Sequence, residues 1–318
     1  MQFGLSTLTS GVFTTREAYM AVAKAAERAG FDFLSVSDHV VVPANLQTHY
    51  PYRVGGAFTA TEQGYCFDQL ATIAFLAGCT ERLRLLTSVL VVPHRPAVLT
   101  AKMLATIDIL CSGRLIVGCG VGWLREEFEA LGAPPYAERG RATDEYLDAF
   151  KRLWTEDAPK LRGTHVSFDN IIFSPKPVTK PHPPIWIGGE SPQALKRAVR
   201  VGDGWYPASN NPQHRLDTAE RLTKGVGELR RLAEAAGRDP ATIDVGYVLL
   251  WPVDWTAQTT AEGARRLFTG RPADMAEDVA ALGRAGVRHV CLTFQTPSLP
   301  ETLERMQRFA AEVLPLAR

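Results

Sequence analysis

Apolar and polar positions along this chain follow two rhythms that take turns from end to end. Runs of apolar and β-branched residues recur at eight places: QFGLS (2–6), FLSVS (33–37), LRLLTSVLVV (83–92), RLIVGCG (114–120), PIWIG (184–188), GWYPA (204–208), IDVGYVLL (243–250) and RHVCLTF (288–294). Longer stretches between them return an apolar residue every three or four positions. In the first such stretch Val22, Ala25, Ala26 and Ala29 fall at i, i+3, i+4 and i+7, the spacing of one helix face. Strand and helix patterns in strict alternation mark a parallel sheet built from β-α units. Eight units predict an α/β fold of the (β/α)₈ TIM-barrel type, and 318 residues lie within the range of that fold.

Local signals punctuate these elements. Thr14 and Glu17 have the spacing of a capping box ahead of the first helix, and Gly30 supplies its stop. Pro96 suits the first turn of PAVLTAKMLATIDIL, where a missing N–H leaves no bond unmade. The last helix, 300–315, sets Leu303, Met306, Ala310 and Val313 on one stripe and is expected to close the barrel against the first strand.

Three stretches exceed a minimal barrel: 43–68 after strand 2, 158–184 after strand 4, and 251–272 after strand 7. The second contains GTHVSFDNIIFSPKP and is expected to form a short β-hairpin. The expectation is therefore one domain over 1–318 with insertions after strands 2, 4 and 7. Loops after strands 2 and 7 lie on the face that carries function in a barrel. Their aromatics, with Phe13 from the loop after strand 1, predict a substrate pocket lined by Phe13, Tyr50, Tyr52, Trp251 and Trp255, and hence a largely apolar substrate.

Composition removes several classes of function. Lys plus Arg (35) balance Asp plus Glu (34), whereas phosphate binding leaves a basic excess or stripe; no nucleic-acid partner is expected. No apolar run approaches the roughly 20 residues of a membrane span, and MQFGLST has no basic segment leading an apolar one, so the expected location is cytoplasmic. The five cysteines, Cys66, Cys79, Cys111, Cys119 and Cys291, are scattered and never form C-x-x-C, which argues against a disulfide scaffold or zinc site. Neither a metal-binding histidine pair nor G-x-S-x-G is present, and no metal is expected.

Polar and glycine residues gather instead at strand ends, which in a barrel converge on the active-site face. Strand 2 ends in Ser37-Asp38-His39, strand 3 contains Thr87-Ser88-Val89, and strand 4 runs into GCGVGWLREEF. Strand 5 ends in GGESP and strand 6 in ASNNP. An isolated histidine at a strand end is usually a satisfied structural group. With Asp38 beside it at the barrel mouth, His39 becomes the candidate acid–base residue, and Asp38 would fix its tautomer or bind a ring N–H. His94, in VVPHRP, reads as a turn residue. GCGVGW looks like a dinucleotide fingerprint, but its third glycine falls on Trp123 and it opens the fourth unit, so a Rossmann reading is disfavoured. Glycines that only make a tight turn are the plainer alternative. A second glycine turn, Gly188-Gly189, precedes a helix starting near Pro192; together the two suggest an anionic tail held by main-chain N–H groups.

Taken together, SVSDHV, LLTSVLVVPHRPAVLTAKMLATID, SGRLIVGCGVGWLREEFEALG and FSPKPVTKPHPPIWIGGESPQALKRAVRVGDGW resemble the luciferase-like monooxygenase superfamily, and within it the branch that uses coenzyme F420. The resemblance covers most of residues 2–210; farther on only the helix and strand pattern matches. It implies a (β/α)₈ barrel, assembled as a homodimer, with a flavin-type ring over strand 3 at a non-proline cis peptide, here Ser88–Val89. It also implies that Asp38 and His39 border the ring. Gly120, Val121, Gly122 and Trp123, with Gly188, Gly189 and Glu190, would line the coenzyme's side chain and phosphate, and Ala208 and Ser209 would complete the set. SDH at strand 2 is similar to the F420 enzymes, whereas the FMN branch more often has EHH. The sequence departs from the pattern at Trp123, where some F420 enzymes carry an acid, and this leaves the catalytic acid unassigned.

The expected function is an F420-dependent oxidoreductase moving a hydride between the deazaflavin and a small organic substrate. An FMN-dependent monooxygenase is the alternative within the same architecture. A barrel that binds a flavin or small ligand without turning it over is the alternative from another class.

Overall fold

A computed structural model of the chain describes residues 1–7, 9, 11–53 and 65–317. Eight parallel strands form the barrel: β1 (Gln2–Thr7), β2 (Phe33–Val36), β3 (Arg84–Thr87, resuming at Leu90–Val91), β4 (Leu115–Gly120), β5 (Ile185–Gly188), β6 (Gly204–Tyr206), β7 (Asp244–Pro252) and β8 (His289–Thr293). Hydrogen bonding runs β3-β2-β1-β8-β7-β6-β5-β4, and β4 returns to β3 through Leu85↔Leu115 and Leu86↔Ile116, which closes the barrel.

The two-residue period of each strand sorts its side chains. Phe33, Leu86, Ile116, Trp186, Tyr206, Val248 and Cys291 fill the interior. Their strand neighbours, among them Leu34, Leu85, Val117, Ile187, Trp205, Leu249 and Leu292, belong to the larger core under the helices. The run 83–92 is not one strand: pairing stops at Thr87 and resumes at Leu90, with a cis Ser88–Val89 bond between.

The outer helices are α1 (Arg16–Ala29), α2 (Gln69–Cys79), α3 (Ala97–Leu110), α4 (Arg125–Ala130), α5 (Arg139–Thr155), α6 (Pro192–Val201), α7 (Ala219–Ala235), α8 (Pro272–Ala285), α9 (Leu299–Glu312) and α10 (Leu314–Ala317). The cap of α1 is Thr15, which accepts from Ala18 N at 3.1 Å, not Thr14. Thr14 is used one turn earlier, its hydroxyl donating to Gly11 O in the short helix Gly11–Phe13. Gly30 is left-handed at φ 80°, the conformation a helix stop of this kind requires. Pro96 precedes α3 as its cap residue rather than lying in its first turn. Helix α9 packs Phe309 against Phe3 of β1, with ring centroids 6.1 Å apart.

Long connections follow β2, β4 and β7. The second holds α4, α5 and an antiparallel pair, Leu161–Arg162 with Ser167–Phe168. The third is tied across itself by the bridges Asp254↔Thr269 and Thr259↔Arg265. Among the described residues no helix is long and apolar enough to cross a membrane.

Candidate active site

The carboxyl ends of the strands meet around Ser88–Val89. Gly120 and Gly188 leave room for the Val89 side chain: a Cβ on Gly120 would stand 2.5 Å from Val89 Cγ2, and one on Gly188 2.9 Å from Cγ1. Ser88 Oγ lies 3.2 Å from the hydroxyl of buried Tyr206, and beneath it Ser35 Oγ lies 3.3 Å from Cys291 Sγ. Residues 88–89 are thereby held from below by polar contacts and from the sides by glycine backbone.

Asp38 braces the chain just beyond. Its carboxylate accepts both arms of the Arg95 guanidinium, at 2.9 and 2.8 Å, and the Val91 N–H at 2.9 Å. Arg95 also reaches Asp68 at 2.7 Å. Burial alone would lower the Arg95 pKa, yet Asp38 and Asp68 push it well above the ordinary value. The expectation that Asp38 fixes the tautomer of His39 is corrected: these three bonds all run to Arg95 and Val91, and His39 takes a different carboxylate.

That carboxylate is Glu127 in the first turn of α4. Its Oε2 lies 2.9 Å from His39 Nδ1, and its Oε1 accepts Val40 N at 2.7 Å and Val41 N at 3.2 Å. The Glu127 side chain is fully buried, whereas that of His39 is 17% exposed. Burial would raise the Glu127 pKa, but the His39 hydrogen bond, the His39 and His94 charges and the Val40 N–H bring it below the usual range. His94 lies in the turn Val92–His94, as expected, but is buried, with Nδ1 3.9 Å from Glu127 Oε1 and its ring edge-on to Phe128. Burial pushes its pKa down.

The adjacent Glu126 performs a parallel task. It accepts Gln47 N at 2.6 Å, Thr48 N at 2.9 Å and the Thr48 hydroxyl at 2.6 Å. Burial acts to raise its pKa, but these donors hold it at about 2. The Glu126-Glu127 pair thus clamps the loop after β2 at two points, near residue 40 and near residue 48. Negative charge at a helix N-terminus is favourable in itself, which masks this second role in the sequence.

The clamped loop delivers two tyrosines to the mouth. Tyr50 packs edge-on to Trp123 (5.1 Å) and to Tyr52 (5.6 Å), and Trp123 lies edge-on to His39 (6.2 Å). Tyr52, Val89 and Leu250 rest on the interior cluster. Burial pushes the Tyr50 hydroxyl up to about 12, with Arg53 opposing and Glu190 adding to the shift. Glu190 is itself buried, which raises its pKa; its carboxylate accepts Ala208 N at 2.6 Å and Asn211 Nδ2 at 2.8 Å. Ser209 is fully buried and its Oγ accepts Leu250 N. Arg139 donates to Gly122 O and the Tyr136 hydroxyl to Trp123 O, which fixes the turn after β4.

Three expected pocket residues lie elsewhere. Phe13 is buried in the outer core against Tyr19. Trp251 follows the outward register of Tyr247 and Leu249, and its indole donates to Leu267 O. Trp255 packs under Arg308 and donates to Glu312 of α9. Of the five aromatics, Tyr50 and Tyr52 are brought to the mouth. Sequence reasoning missed Glu127, Glu126, Arg95 and Tyr206; only the Glu pair carried a visible signal, two acids opening a helix just after a glycine turn.

The residues at the mouth fit a planar ring. Val89 and Leu250 give an apolar floor, Trp123 an aromatic wall and His39 a polar edge. Gly122 (φ 82°) and Gly189 (φ 100°) adopt the left-handed backbone that favours glycine, and Phe128 and Val91 fill the place a Gly122 Cβ would take. The Glu190 side chain does not fit a phosphate; it is an acid turned toward Ala208 and Asn211.

A closed parallel barrel with a polar, glycine-lined mouth is the scaffold of many enzymes; comparison with known proteins narrows it. Residues 1–308 match the family model described as luciferase-like monooxygenase, and the chain belongs to that family. An uncharacterised protein of Mycobacterium tuberculosis (strain ATCC 25618 / H37Rv) is 31% identical over 283 residues, 88% of this chain and 95% of that one. An FMNH2-dependent dimethylsulfone monooxygenase of Pseudomonas putida is 37% identical over 164 residues, 51% of this chain and 43% of that protein. Among solved structures, an F420-dependent secondary alcohol dehydrogenase in complex with an F420–acetone adduct superposes with a TM-score of 0.77 at 17% identity, covering 100% of this chain and 99% of that one.

Proposed function

We propose that the protein is an F420-dependent oxidoreductase that transfers a hydride between the deazaflavin and a small, largely apolar organic substrate. The observation that carries this reading is His39, at the mouth of the barrel with Nδ1 on a fully buried carboxylate. The bound coenzyme would supply the hydride donor or acceptor. His39 would take or give the proton that accompanies the hydride. Val89 and Leu250 would support the ring, Trp123 and Tyr50 would exclude water beside it, and the backbone at Gly120–Gly122 and Gly188–Gly189 would receive the anionic side chain. The SDH triplet at Ser37–His39, similar to F420 enzymes, supports this coenzyme.

A second reading, an FMN-dependent monooxygenase, is favoured by the P. putida relative. Titration of the purified protein with oxidised F420 and with FMN, followed by fluorescence quenching, separates the two. Micromolar binding of F420 is expected; binding of FMN alone would reverse the coenzyme assignment. Binding of F420 with no substrate-dependent bleaching across an alcohol and carbonyl panel would favour a non-catalytic binding barrel.

A further inference from the structure

Two histidines face one buried carboxylate. Glu127 receives His39 Nδ1 at 2.9 Å and stands 3.9 Å from His94 Nδ1. Its other partners are the amides of Val40 and Val41. Asp38 and Arg95 lie beyond His94, paired with each other, and Cys66 Sγ is directed at His39 O at 3.5 Å. The stronger contact is therefore with His39, while both ring nitrogens of His94 are buried without a hydrogen-bond partner among the described residues. An ionised carboxylate can only accept. The proton between Glu127 and His39 consequently belongs to the imidazole.

We propose that Glu127 is the positioning residue of the site: by accepting the Nδ1 proton of His39 it fixes one tautomer and assigns the proton exchanged with substrate to Nε2. The inference rests on reading the barrel as a hydride-transfer enzyme, and it names the substrate class as one that exchanges a proton with each hydride, an alcohol/carbonyl or amine/imine couple. In the oxidative direction the substrate C–H pair of electrons leaves as hydride to the oxidised deazaflavin. The O–H or N–H proton passes to His39 Nε2, and a C=O or C=N bond forms. The imidazolium so produced faces the Glu127 carboxylate, which stabilises it until the proton is lost to water. In reduction the same steps run backwards. Asp38, adjacent in sequence, takes no part.

Glu127→Gln tests this with little change of shape. The amide oxygen can still accept Val40 and Val41, but the amide NH2 donates to Nδ1 and so selects the opposite tautomer. Expected for the variant is a fall in kcat on the order of 10²–10⁴-fold with KM and F420 affinity within a few-fold. Nitrogen-15 NMR of His39 should show Nδ1–H in the wild type and Nε2–H in Glu127→Gln. An Nε2–H wild type overturns the proposal whatever the coenzyme, and needs no variant to fold. Lost activity with an unchanged His39 tautomer also overturns it, since Glu127 would then act only through stability. An Nδ1–H wild type that fails to bind F420 supports the tautomer assignment and removes the coenzyme reading instead.

Discussion

Asp38 and Arg95 form a two-point ion pair, and the same carboxylate holds the N–H of Val91, two residues past the cis peptide. The Asp38 side chain is fully buried and that of Arg95 is 11% exposed. Removing Asp38 leaves the buried Arg95 relying on the more exposed Asp68, 2.7 Å away, and takes the acceptor from the Val91 N–H. Asp38→Ala should therefore destabilise the fold in urea unfolding, by less than the roughly 3–5 kcal/mol of a fully orphaned buried charge. A role confined to the coenzyme ring would give the opposite split, with weakened F420 binding and unchanged stability.

Val89 fits only because two glycines face it. Gly120→Ala would place a methyl 2.5 Å from Val89 Cγ2, and overpacking of this kind costs about 1–3 kcal/mol. Val89→Ala in the same chain removes the clash, so the double variant should recover part of the loss. A double-mutant cycle in chemical denaturation should show a coupling of about 0.5–3 kcal/mol. Additive effects would mean that Gly120 does not serve to seat Val89.

The fold was legible because each strand announces itself as an apolar run and each helix as a 3.6-residue repeat. Register is legible too: counting along β7 from Tyr247 and Leu249 directs the Trp251 indole away from the mouth. The site was harder. Asp38 and His39 are neighbours in sequence, which suggested a shared function, but successive residues along an extended segment point to opposite sides. Their partners, Arg95 and Glu127, lie 57 and 88 residues away, and no local pattern reports pairings of that span. Phe13 and Trp255 misled for another reason: an aromatic in a loop near the mouth can as readily pack beneath it.

The clamp between Glu126 and the loop after β2 has a defined dependence on acid. Its folded pKa is lowered from the ordinary 4.5 to about 2, despite the opposing effect of burial. A lowered carboxyl pKa contributes stability that is fully present above the ordinary value and is lost as pH falls through the folded one. Protection of the Gln47 and Thr48 amides from hydrogen exchange, relative to intrinsic rates, should persist from neutrality to about pH 4 and vanish toward pH 2. Glu126→Ala should abolish that protection at every pH while leaving the amides of Val40 and Val41 protected by Glu127.

His94 has the same sign from the other side of the charge scale. Burial is the main cause that lowers its pKa from 6.5, with Arg95 and His39 adding and Glu127 and Asp38 opposing. The folded protein therefore favours neutral His94, and the stability this gives is complete above pH 6.5. Below that the unfolded chain takes up a proton that the folded chain resists, so stability drains as pH falls toward the lowered value. One such group contributes at most about 1.4 kcal/mol per pH unit. His94→Leu replaces the imidazole with an apolar side chain that has no ring nitrogens to leave unpaired and no charge to acquire. Urea unfolding at pH 7, 6 and 5 should show the wild type losing ground to His94→Leu as pH falls. A constant difference between the two proteins across that range would mean that His94 does not titrate in linkage with folding.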